Sequence, residues 1–157
     1  MAYKVVVSYS THNIHIAQWT VQALSRPGIT EVFVAEYSLE PGAELDERIL
    51  AEIRACDMFI LLWSRAARQS DWVPAEVGAA RMARRLIVPV VLEPNVPLPG
   101  FIAQVKHLRA YEDWQGAFTN LKEFVNAQAM EAAQRQKAAV VLGLILAGIM
   151  LFGGGGG

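Results

Sequence analysis

Apolar positions along this chain follow two periods. Compact runs rich in β-branched and aromatic residues alternate with longer stretches in which apolar residues recur three or four apart. The runs at 3–10 (YKVVVSYS), 31–37 (EVFVAEY), 58–64 (MFILLWS) and 86–92 (LIVPVVL) predict strands, and 105–111 (VKHLRAY) predicts a short fifth strand at a sheet edge. The run at 58–64 is the most continuous, as expected at the centre of a parallel sheet covered on both faces. Between them, 13–26 places Ile16, Trp19, Val21 and Leu24 at roughly helical spacing, and Pro27-Gly28 ends that helix. Pro41-Gly42 marks a turn, after which Leu45, Ile49, Leu50 and Ile53 form an apolar helical face. A third helix is predicted over about 70–85, and a last one begins near Gly116. Strands alternating with helices imply right-handed βαβ units. The expected fold is therefore α/β, a doubly wound, five-stranded parallel sheet of the flavodoxin-like kind, followed by a C-terminal hydrophobic helix.

The tail changes the picture most. Residues 138–152 (AAVVLGLILAGIMLF) are uninterruptedly apolar and are followed by five glycines. Fifteen residues of helix span about 22 Å, and twenty, counting the glycines, approach the roughly 30 Å of a bilayer's hydrocarbon core. Arg135 and Lys137 flank the run on its N-terminal side, which favours keeping that side in the cytoplasm. Ala139, Gly143 and Ala147 recur every four residues, a spacing that lets helices approach closely in lipid. The same run also fits a helix buried in a core or an oligomer. No Pro or Gly interrupts residues 117–137, so the last helix can continue as a stalk into the tail. The expected organisation is a globular domain over 1–125, a helical linker over 126–137 and a transmembrane tail over 138–157.

Composition mostly excludes. At 157 residues the chain is about one domain long. Fourteen Lys and Arg against fifteen Asp and Glu give no excess of the kind a nucleic-acid binder shows. The single cysteine, Cys56, permits no intrachain disulfide and suits a reducing compartment. The N-terminal MAYKVVVSYS turns polar after three apolar residues, unlike a secretory signal. No glycine-rich phosphate cradle follows the first strand, and no paired acids end it to hold Mg²⁺. His12 and His15 lack an apparent third ligand, so no metal site is expected. Arg81, Arg84 and Arg85 complement the dipole at a helix end.

In such a sheet the ligand lies at the carboxyl ends of the strands. The residues collected there are Ser8-Tyr9-Ser10, Pro41-Gly42 and the stretch 70–76 (SDWVPAE). Taken together they resemble a TIR (Toll/interleukin-1 receptor) domain across about residues 3–125. Ser8-Tyr9-Ser10 is similar to that family's opening motif, and Pro41-Gly42 to its assembly loop. Ser70, Trp72 and Glu76 match its serine, tryptophan, x, x, x, glutamate signature, and LIVPVVLE resembles the strand that follows. The chain departs from the pattern at Val73, where Cys is common after the Trp, and at Asn13, where an acid is common.

The resemblance implies a bacterial or archaeal immune effector that cleaves the nicotinamide–ribose bond of NAD⁺, with NAD⁺ as substrate and no prosthetic group. It implies Glu76 as the catalytic residue and Tyr9, Ser10, Pro41, Gly42 and Trp72 as nucleotide-binding. One carboxylate is chemically sufficient, because nicotinamide leaves as a neutral base and needs no general acid. The acid then has only a developing oxocarbenium ion to stabilise. Trp72 or Tyr9 could hold the cationic ring. The resemblance further implies activation by TIR–TIR self-assembly, which a membrane tail would assist. From the residues alone, Glu76 also fits a solvated acid in a helix's first turns, and Trp72 a packed core ring. A non-enzymatic TIR adaptor, or a related nucleoside-modifying hydrolase on the same fold, are the other readings.

Overall fold

A computed structural model describes residues 1–35 and 46–153. Five parallel strands form one sheet: β1 (Tyr3–Ser8), β2 (Thr30–Val34), β3 (Met58–Trp63), β4 (Leu86–Val91) and β5 (Leu108–Arg109), in the order β2-β1-β3-β4-β5. This is the doubly wound order expected, with its reversal at β1 and β3. All six residues of β3 are buried, as its continuous apolar run demands. β5 is shorter than the sequence predicts. It pairs only with the last two residues of β4, Val90 and Val91, which limits the ladder to Leu108 and Arg109.

Helices α1 (Ile14–Leu24) and α5 (Trp114–Phe152) cover one face, and α2 (Glu47–Ala55), α3 (Arg65–Gln69) and α4 (Val73–Met82) cover the other. Alternation along the strands sorts the core accordingly. Val5, Val7 and Tyr9 of the β1 segment pack toward Ala17, Leu24, Phe118, Leu121 and Val125. Val6, with Phe59 and Leu61 of β3, packs toward Ile49, Ile53, Val73 and Val77.

The helix predicted over 70–85 is α4, three residues shorter at each end, and a further short helix, α3, precedes it. Ser64 accepts the amide of Ala67 and so starts α3 at Arg65; Ser70, which ends α3, accepts the amides of Trp72 and Val73 just ahead of α4. Pro74 falls in the first turn of α4, where its missing N–H costs nothing. That helix ends with the Arg85 amide bonded to the carbonyl of Ala80, and Arg84 at φ 56° occupies the left-handed position usually given to glycine.

Helix α5 is unbroken over 39 residues, about 58 Å. The Asp113 carboxylate caps it by accepting the amide of Gly116 at 3.0 Å. Its buried positions end at Ala129, and its 18-residue apolar window has nothing buried in this chain. It is long and apolar enough to cross a membrane, and only its first part, up to Ala129, packs in the core of the described domain.

Candidate functional site

The carboxyl ends of β1 and β3 open onto a cleft of about 560 Å³. Tyr9, Ser10, Thr11 and His12 form one wall as the chain leaves β1. Arg65, Gln69, Ser70, Asp71 and Trp72, from α3 and its connection to α4, form the other. This is the crevice at the strand-order reversal where open α/β sheets bind ligands.

Local hydrogen bonds fix the rim. The Ser10 hydroxyl accepts the His12 amide and begins a short 3₁₀ turn, Thr11–Asn13, that leads into α1. The Ser64 hydroxyl donates to Asn13 Oδ1 at 2.7 Å, tying the exit of β3 to that turn. Glu93, just past β4, accepts the Arg65 amide at 2.6 Å. Its negative charge thus sits at the start of α3. Three strand exits are laced together by side chains of Asn13, Ser64 and Glu93. The serine directly after the apolar run at 58–63, followed by a helix, is the signal from which the Ser64 cap could have been read.

Beneath the cleft lies Glu76. It belongs to the buried face of α4 with Val73, Val77 and Ala80 and has no solvent exposure. The Ser8 hydroxyl, also wholly buried, donates to Glu76 Oε2 at 2.5 Å. A carboxylate on an otherwise apolar helix face is costly unless hydrogen-bonded, and Ser8, the last residue of β1, supplies a donor. A strand that otherwise alternates apolar residues therefore ends in a hydroxyl that meets an acid. Glu76 is not the solvated acid that its place in the first turns of a helix suggested.

The other expected residues divide. Tyr9 and Ser10 are nearly buried yet line the cleft. Trp72, half-buried, precedes α4 and lines the cleft. The carbonyl of Trp72 accepts the amide of Glu76 at 3.0 Å, so the ring and the acid are one helical turn apart, one at the cleft wall and one below it. Pro41 and Gly42 lie outside the described residues. Among the described residues no group of His, Cys, Asp and Glu is arranged to hold a metal ion.

The family model for the TIR domain matches residues 5–125. Among solved structures, the chain is similar to the TIR domain of the Toll-related receptor TRR-2 of Hydra magnipapillata. Identity there is 20% and the TM-score 0.62, over 79% of this chain and 98% of that one. It is also similar to the TIR domains of the activated Roq1 resistosome, which directly recognises the pathogen effector XopQ. That match has 14% identity and a TM-score of 0.50, over 82% of this chain and 84% of that one. Comparison with curated proteins gives no match.

Proposed function

Because the chain belongs to the TIR domain family, we propose that it is an NAD⁺ nucleosidase, activated by self-assembly, that cleaves the nicotinamide–ribose bond in prokaryotic antiviral immunity. Glu76 is the catalytic carboxylate, and Tyr9, Ser10, Trp72, Pro41 and Gly42 hold the dinucleotide. The TIR domain occupies 1–125, the stalk 126–137 and a membrane tail 138–157, with the domain in the cytoplasm.

The observation that supports this reading is the buried Ser8–Glu76 pair, whose Ser8 directly precedes the cleft-lining Tyr9. A hydrogen-bonded acid on an otherwise apolar packing face carries a desolvation cost that an apolar residue of similar size would not. Beneath a cleft walled by Tyr9 and Trp72, the acid is placed for a cation forming at the ribose. Its complete burial in the single chain fits an enzyme that is off until assembly opens the floor.

The test is incubation of concentrated full-length protein, and of its Glu76→Gln variant, with NAD⁺, with released nicotinamide measured. Wild type releases nicotinamide and the variant loses at least about a hundredfold in rate. Equal release from both, or none from an assembled wild type, would rule out the enzyme.

One surface favours the adaptor reading. Between α1 and α5 an apolar groove of about 710 Å³ is lined by Ile16, Trp19, Trp114 and Phe118. Trp114 stacks on Phe118, and Trp19 meets Phe118 edge-on. Trp19 and Trp114 stay about half exposed, the aromatic character of a protein-binding face. An adaptor would keep this surface and have no use for Glu76.

A further inference from the structure

The charges of this nearly neutral chain are sorted by direction, and the direction is set by α5. Every strand is parallel, so the sheet has a carboxyl edge, where the cleft lies, and an amino edge opposite. Helix α5 starts just past β5 on the carboxyl edge and runs antiparallel to the strands. Asn126 meets Arg26 at the end of α1, and Glu131 and Arg135 act electrostatically on Tyr3 at the start of β1. The helix thus leaves the domain across the amino edge, and its apolar run begins nine residues after the last buried position, Ala129.

That edge is basic. Arg26 follows α1, Arg54 lies in the last turn of α2, Arg81 in the last turn of α4, and Arg84 just after it; all four are exposed. Exposed Lys4 of β1 stands beside them, and Arg135 and Lys137 project from α5 where it departs. Acids are fewer there and partly engaged: Glu131 pairs with Arg135 at 3.4 Å, and Asp57 accepts the Lys4 amide at 2.8 Å, leaving Glu31 and Glu52 beside Lys4. Arg85 turns inward to the carbonyls of Ala83 and Cys56 and adds little outward charge. At the carboxyl edge, Asp46, Glu47, Asp71, Glu93, Glu112 and Asp113 offset the basic residues.

The position of Arg84 is a separate indication. Its backbone adopts φ 56°, which favours glycine. A long cation stands there instead and is exposed at the basic edge.

We propose that the amino edge of the sheet is a docking face for the anionic headgroups of the leaflet that α5 enters, so that the cleft faces away from the membrane. This rests on the reading of residues 138–152 as a bilayer span. Nine helical residues separate Ala129 from Ala138 by about 14 Å. The headgroup layer takes up about 5–7 Å of that distance. What remains is about one screening length at physiological salt, so the face lies within reach of the negative surface potential of a cytoplasmic leaflet.

The test uses the full-length protein reconstituted in vesicles. A donor dye is placed at Met82→Cys, a highly exposed position between Arg81 and Arg84, and the acceptor is a headgroup-labelled lipid. Cys56 is buried and does not compete for the dye. A second sample carries the dye at Gln69→Cys, on the cleft side. Between phosphatidylcholine vesicles and vesicles about one third phosphatidylserine, transfer from the dye at Met82→Cys rises about twofold. Transfer from Gln69→Cys does not rise. The gain disappears at about 1 M salt, where screening falls to about 3 Å, and in protein also carrying Arg81→Gln and Arg84→Gly. Equal transfer in both lipids, or a gain that survives salt and charge removal, overturns the docking face; if that protein still floats with both vesicles, the span stands. Protein that floats with neither vesicle refutes the span, and the docking face with it.

Discussion

At the scale of single residues, burial separates the candidates. Glu76 could be picked out from the sequence because a Trp four positions earlier fits one helix face and matches a family signature. Its burial could not. Periodicity tells which residues share a face, but not that the face meets Ser8 at the end of β1. Nor could the reading of Ser64 as a strand end show that its hydroxyl both caps α3 and holds Asn13. Cys56 is a different kind of buried residue. Its thiol donates to the Ile53 carbonyl, and burial pushes its pKa from 9.0 up to about 11. At about neutral pH the native protein should resist iodoacetamide at Cys56 and react on unfolding. Because the folded chain holds this proton more tightly than the unfolded one, stability is full below pH 9 and falls as pH rises through about 11. Tyr3, pushed up to about 12 mainly by burial and next by Asp57, extends the loss to higher pH. A thermal unfolding midpoint that stays level across this range would contradict both assignments.

At the scale of elements, the sequence showed most of what propensity and period determine. β3 and the Ile49–Ile53 face of α2 appear where the pattern put them, whereas α1 buries Ala17, Thr20 and Leu24 and leaves Trp19 about half exposed. Boundaries failed where a single hydroxyl or a neighbouring strand decided them. α4 begins three residues after Ser70, whose hydroxyl holds the amides of Trp72 and Val73, and β5 stops where β4 offers no further partner. The end of α4 offers a direct test. Arg84→Gly relieves a left-handed residue at a helix terminus and should raise stability by about 1 kcal/mol in urea unfolding. A loss of stability would mean that the Arg84 side chain holds the fold in a way its exposed position does not suggest. The gain would also make any reduction in membrane proximity of that variant attributable to charge rather than to damage.

For the whole molecule, the decisive boundary lies along α5. A chain ended at Arg135 keeps Phe118, Leu121, Val125 and Ala129 against the sheet and loses the apolar run. It should be soluble without detergent and unfold in urea with the same midpoint as the intact domain. If it still needs detergent, or if full-length protein never partitions with membranes, the tail is not an anchor. The unbroken helix also has a phase. Ala139, Gly143 and Ala147 lie ten, fourteen and eighteen residues beyond Ala129. At about 100° per residue they return to within a quarter-turn of the azimuth at which Ala129 meets the sheet. The seam available for tail pairing and the side on which the domain hangs therefore coincide. Two such rods laid in parallel along that seam would swing their domains toward each other across the two-fold axis, and the domains would meet before unbent helices closed. Were two tails to pair along that seam in a membrane, the rods would have to splay or bend between Ala129 and Ala138, and tail packing would act against domain contact through a single torsional linkage.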